Sequence, residues 1–151
     1  MKGSIFIAVR QGEYSCNKLT LVGEVQMREV AQRIEAINTS GKKIVLLCST
    51  APRASEGGKI FIKELGISTE SAIFKDFLWD NGSHFADVAE AKKLVEENLL
   101  EDTILLVLSD FYLVSDLLNY VAKIFGYEKR FYSPEFGKGS IIDSEGIKSF
   151  P

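Results

Sequence analysis

The chain has 151 residues, 46% apolar and 26% charged, the composition of a folded domain and not of a disordered segment. Its 18 basic and 21 acidic residues leave a formal charge of −3, which excludes a strongly cationic chain and gives no global footprint for nucleic acid. Cys16, Cys48 and the one histidine, His84, make neither a disulfide framework nor a four-ligand zinc site, so no metal and no cofactor are expected.

One domain over residues 1–151 is expected, because a chain of this size buries roughly 68–70% of its unfolded surface without a staple. The apolar run Ile5–Val9 is far too short for a signal-peptide core. No later stretch reaches the roughly 18 uninterrupted apolar residues of a membrane span. A soluble, reducing, cytoplasmic setting is expected, with no membrane and no nucleic acid as partner.

In chain order, Ser4–Val9 is rich in β-formers and ends at Arg10-Gln11-Gly12. Residues 20–38 carry Val22, Val25, Val30, Ile34 and Ile37 at helical spacing, with Thr20 as N-cap, before Gly41 breaks the chain. Lys43–Cys48 is a nearly continuous apolar run, the pattern of a strand buried on both faces. Pro52 suits the first turn of a helix reaching Leu65, ahead of Gly66. Gly57 and Gly58 inside that helix each cost about 1 kcal/mol relative to alanine, which implies close packing. Ala72–Phe77 predicts a short strand, residues 79–85 a loop, and Asp87–Leu99 a helix with Val88, Ala91, Leu94 and Val95 on one face. Thr103–Leu108 is the strongest strand pattern. Phe111–Phe125 reads as a helix with Leu113, Leu117, Val121 and Ile124 in register and Gly126 as its stop. Residues 127–151 hold two short β-like pieces, around Phe131 and around Ile141.

Alternating strands and helices imply parallel pairing and an α/β/α sandwich of three layers with a mostly parallel sheet. Ligands of such sheets bind beyond the carboxyl ends of the strands. Arg10, Gln11, Arg53 and Asp110 lie just past those ends and are the candidate pocket residues. Two arginines at one sheet edge suit a small anion, because guanidinium forks match phosphate oxygens.

These residues also carry a resemblance. Arg10-Gln11-Gly12-Glu13, Asn17, and Leu19-Thr20 with Gly23 and Gln26 resemble the opening of the histidine phosphatase (phosphoglycerate mutase-like) superfamily. Ser49-Thr50-Ala51-Pro52-Arg53-Ala54 resembles its second-strand segment, and Leu106-Val107-Leu108-Ser109-Asp110 its third. The resemblance implies a phosphoglycerate mutase-like fold and a phosphate cradle of Arg10, Gln11, Asn17 and Arg53. It puts Gln11 and Asp110 at the positions of the family's two catalytic histidines and Asp80, by a loose match, at its acid; Phe111 replaces a glycine.

Those departures change the chemistry. A glutamine amide can hydrogen-bond to an anion but cannot accept a phosphoryl group as histidine does. Asp110 leaves the quartet at a charge of about +1, where the family's histidines give about +2 to +3. It should repel a phosphate dianion or occupy an arginine fork. Other nucleophiles fit poorly. His84 reads as an exposed loop residue, and Cys16 as a loop thiol near the pocket. Cys48 and Arg53 have four residues between them, one fewer than the cysteine phosphatases need. Asp110 lacks a second aspartate two residues on, where Tyr112 stands, so an aspartyl-phosphate mechanism is unsupported. Gly57-Gly58-Lys59 is no phosphate-binding loop, and the stretch 137–140 reads as a β-turn with an anion-binding alternative.

The leading expectation is a catalytically degenerate, non-catalytic binding or regulatory protein with a remnant anion pocket for a small anionic or phosphorylated ligand. One alternative is a divergent phosphatase or phosphomutase using another nucleophile or a metal. A second is a scaffold for a protein partner, its pocket closed by Asp110.

Overall fold

The computed structural model describes residues 2–79 and 86–151. Its strands are β1 (Ile5–Arg10), β2 (Tyr14–Ser15), β3 (Lys18–Leu19), β4 (Lys43–Ser49), β5 (Ala72–Lys75), β6 (Thr103–Ser109), β7 (Gly139–Asp143) and β8 (Gly146–Phe150). Its α-helices are α1 (Leu21–Ile37), α2 (Pro52–Leu65), α3 (Val88–Asn98) and α4 (Phe111–Ile124). Six strands form one sheet in the order β5-β4-β6-β1-β7-β8, with β2 and β3 in a separate hairpin. Strands β5, β4, β6 and β1 pair in parallel; β7 runs antiparallel to both its neighbours.

The central strands read as continuous apolar runs because both their faces are covered. Phe6, Ala8, Val45, Leu47, Leu105 and Val107 pack against Ala91 and Val95 of α3 and Leu113, Leu117 and Val121 of α4. The alternate residues Ile7, Val9, Leu46, Cys48, Leu106 and Leu108 pack against Met27, Val30 and Ile34 of α1 and Ala54 and Phe61 of α2. Among the described residues, no helix is long and apolar enough to cross a membrane.

Helix boundaries follow local chemistry. Thr20, Asp87 and Asp110 cap α1, α3 and α4 through side-chain oxygens that accept backbone N–H groups. Pro52 opens α2, and Gly66 closes it in the left-handed conformation.

Four expectations need correction. Helix α1 buries Gly23, Met27, Val30, Ala31 and Ile34, whereas Val22 and Val25 are about half exposed (53% and 50%). Gly23 permits this rotation: a Cβ there would lie 2.0 Å from the Glu13 carbonyl oxygen, so only a glycine lets that face turn inward this closely. The strand expected over residues 72–77 ends at Lys75 in a 3₁₀ turn, Asp76–Leu78. Phe131 is buried but in no strand. The Asn119 side chain serves its backbone instead, accepting from Phe131 N (2.6 Å) and donating to Phe131 O (3.3 Å). The second C-terminal strand is β8, which turns back from β7 and carries Phe150 into the core.

The paired glycines of α2 face the sheet. A Cβ on Gly57 would lie 2.9 Å from Met27 Sδ, and one on Gly58 would lie 2.8 Å from Cys48 Sγ and 3.2 Å from the Phe74 ring. Gly58→Ala gains about 1 kcal/mol of helix propensity but overpacks a buried contact at about 1–3 kcal/mol. A net loss near 1 kcal/mol is expected in urea unfolding, and the same change made in a Cys48→Ala background should be neutral or stabilising.

Candidate anion site

Strand register assembles the site. Arg10 ends β1 opposite Ser109 at the end of β6, and Gln11 N donates to Ser109 O (3.0 Å). Gln11 and Asp110, the next residues of each strand, therefore leave the same sheet edge as neighbours. Strand β4 flanks β6 with Cys48 opposite Leu108, and Arg53 follows it in the first turn of α2.

The segment after β1 is folded by the rest of the sequence motif. Thr20 Oγ1 donates to Glu13 Oε1 (2.9 Å), and Glu13 N donates to Gln26 Oε1 (2.8 Å). Gly12 sits where a Cβ would come within 2.5 Å of the Gly23 carbonyl oxygen. Cys16 and Asn17, at φ 51° and 62°, form the two-residue turn of the β2–β3 hairpin, the backbone that hairpin loops require. That turn delivers Asn17 Oδ1 to Arg53 Nη1 at 2.6 Å.

Both guanidinium groups are held against aromatic rings. The Arg10 carbon lies 4.0 Å from the Phe136 ring centroid and 4.7 Å from that of Phe111; the Arg53 carbon lies 4.8 Å from Tyr14 and 5.5 Å from Trp79. Such contacts fix a cation without consuming its N–H groups. Arg10 Nη1 donates to Pro134 O (3.2 Å). The Nε atoms of Arg10 and Arg53 and the Oε1 of Gln11 are buried and have no hydrogen-bond partner among the described residues; Gln11 itself is 1% exposed. Buried polar groups left in this way cost about 1–3 kcal/mol each, which a bound partner would relieve.

Asp110 does not close an arginine fork. Among the described residues the only ion pair is Lys42–Asp102. The Asp110 carboxylate instead accepts from Leu113 N (3.2 Å) as the N-cap of α4. Burial raises its pKa above the ordinary aspartate value, opposed by the Leu113 amide, Arg53, the Tyr112 amide and Arg10. Burial also lowers the Arg10 pKa, while Tyr14 and Asp110 raise it and Arg53 lowers it. The four groups thus share one electrostatic neighbourhood.

The other sequence candidates separate clearly. Cys48 is buried, its thiol pushed up by desolvation and donating to Ser49 O and Ala54 O; the thiolate a cysteine phosphatase needs is disfavoured there. Cys16 is exposed. The turn at residues 136–137 uses its glycine amide internally, Gly137 N donating to Arg10 O and Gln11 O, so it braces the site as a turn. Asp80 and His84 lie outside the described residues. Among the described residues no three His, Cys, Asp or Glu side chains assemble as a metal site.

Sequence reasoning missed the four aromatic rings and the hairpin. Phe111 was visible as the residue replacing a glycine; the structure gives its ring a contact with Arg10. A further strut joins the neighbouring loops, with Trp79 Nε1 donating to Thr50 Oγ1 (2.9 Å), which donates to Asp76 Oδ1 (2.5 Å).

Because Asp110 caps a helix, its substitutions divide by chemistry. Asp110→Ala should cost about 1 kcal/mol, whereas Asp110→Asn keeps the cap. A raised native pKa means that ionising Asp110 costs stability as pH rises above the ordinary aspartate value. Asp110→Asn should therefore be at least as stable as wild type at pH 7, and any advantage should vanish in acid, where both side chains are neutral. Urea unfolding at the two pH values measures both effects.

No family model matches the sequence, and no curated protein matches it. Solved structures do. The protein histidine phosphatase SixA complexed with tungstate matches at 21% identity and a TM-score of 0.63, covering 96% of this chain and 93% of that one. A mycobacterial glucosyl-3-phosphoglycerate phosphatase with inorganic phosphate matches at 11% identity and 0.68, over 97% and 94%. The Rv3214 structure from Mycobacterium tuberculosis matches at 14% identity and 0.65, over 98% and 96%. The chain has the phosphoglycerate mutase-like fold, and a protein histidine phosphatase is among its structural neighbours.

Proposed function

We propose that residues 1–151 form one catalytically degenerate histidine-phosphatase-like domain, a cytoplasmic binding or regulatory protein that holds a small anion without transferring a phosphoryl group. One observation carries this reading: Arg10 and Arg53 keep buried, unpartnered Nε–H donors, and the buried residue that follows Arg10 is a glutamine, whose amide is not a nucleophile. Arg10, Gln11, Asn17 and Arg53 are the proposed anion-binding residues, with Asn17 orienting Arg53. Structures of the same fold bound to tungstate and to inorganic phosphate support an oxyanion as the ligand.

The absence of an ion pair between Asp110 and either arginine weighs against the closed-scaffold alternative. The divergent-phosphatase alternative draws its support from the phosphatases among the structural neighbours, and an assay separates it from the binding reading. Purified protein should hydrolyse p-nitrophenyl phosphate no faster than buffer, with or without added divalent cations. Turnover without metal that is abolished by Gln11→Ala would overturn the binding reading, as would metal-dependent turnover lost on Asp110→Asn.

A further inference from the structure

The unmet hydrogen-bonding groups of the site are of both kinds. Within the described residues, Arg10 Nε and Arg53 Nε are donors without acceptors, whereas Gln11 Oε1 is an acceptor without a donor, on a side chain almost wholly buried. Asp110 adds a carboxylate that accepts from Leu113 N as the helix cap. The charged groups that act on this carboxylate are Arg53 of α2 and Arg10 of β1. Among the described residues, two guanidinium groups and one carboxylate give a local charge of about +1, which one negative charge neutralises.

A fully ionised phosphate ester does not suit that set. It offers only acceptors, so Gln11 Oε1 would stay unpartnered against another oxygen, and its second charge would face Asp110. The singly protonated form has one charge for the two arginines and one P–O–H to donate to Gln11 or Asp110. We propose that this site selects a singly charged anion that brings its own hydrogen-bond donor, a monoprotonated phosphoryl group, over a dianion of the same shape. The proposal rests on the anion-pocket reading and adds the protonation state of what the pocket takes. In an ordinary phosphoryl site, where arginines and neutral donors face the ligand, the dianion is the better partner and affinity falls in acid. The opposite slope is expected here.

Methyl phosphate and sulfate separate the possibilities when titrated by calorimetry at pH 5 and pH 8 and low ionic strength, where charge effects are least screened. A phosphomonoester has its second pKa near 6, so its singly charged fraction falls roughly 90-fold between these values. Methyl phosphate should bind more weakly at pH 8 by about that factor. Sulfate, a tetrahedral dianion with no proton to donate, should bind weakly at both pH values. Asp110→Asn, which keeps the helix cap, removes the repelling charge and should strengthen sulfate binding at least tenfold while flattening the methyl phosphate profile. Methyl phosphate binding as tight at pH 8 as at pH 5 would overturn the selection while leaving an anion pocket in place. Sulfate binding that strengthens in acid alongside methyl phosphate would also overturn it, since the proton would then be taken up by the protein and not brought by the ligand. If neither anion binds folded wild type at either pH, the pocket reading itself fails.

Discussion

Everything at the site depends on the parallel register of β1, β6 and β4. Six consecutive residue pairs join β1 to β6, from Ile5 opposite Ile104 to Arg10 opposite Ser109, and six join β4 to β6. A slip of one residue in a parallel pair would reverse which side chains meet each layer of helices, and here both faces are buried, so the register is strongly held. Its consequence lies beyond the sheet: the chain leaves three strands at one edge, where Gln11, Asp110 and the first turn of α2 must meet.

The motif residues divide into two kinds once this geometry is visible. Gly12, Glu13, Thr20, Gly23 and Gln26 are construction: they let the segment after β1 lie against the start of α1 and permit the Gly23 face of α1 to turn inward. Arg10, Gln11, Arg53 and Asp110 are the groups that would meet a ligand. The construction stands irrespective of what chemistry is done beside it. The carboxylate at position 110 also has a local role, as the N-cap of α4.

Much of the architecture was legible because its signals are local. The runs at Lys43–Cys48 and Thr103–Leu108 announce two-sided burial, Thr20 and Pro52 announce helix starts, and strand-end position nominated Arg10, Gln11, Arg53 and Asp110 without any knowledge of a ligand. What was not legible depends on contacts between distant segments. The rotation of α1 is permitted by Gly23 against Glu13, so valines at helical spacing did not reveal it. The satisfaction of Phe131 by the Asn119 amide has no periodic signature. The rings of Tyr14, Trp79, Phe111 and Phe136 come from four separate segments and meet only through the sheet edge. The role of Asp110 stayed open for a related reason: charge alone lets it repel an anion or pair with an arginine, whereas its place at the start of α4 gives it to the Leu113 amide.

The central claim is that the sheet edge retains a cradle for an oxyanion without a group that attacks it. A crystal structure of the wild-type protein equilibrated with inorganic phosphate at pH 5 tests this most directly. The account predicts a phosphate with oxygens within hydrogen-bond distance of both Arg10 Nε and Arg53 Nε, and no covalent bond from phosphorus to any protein atom. A phosphorylated side chain at the site, or arginines turned away from an edge that holds no anion, would contradict it.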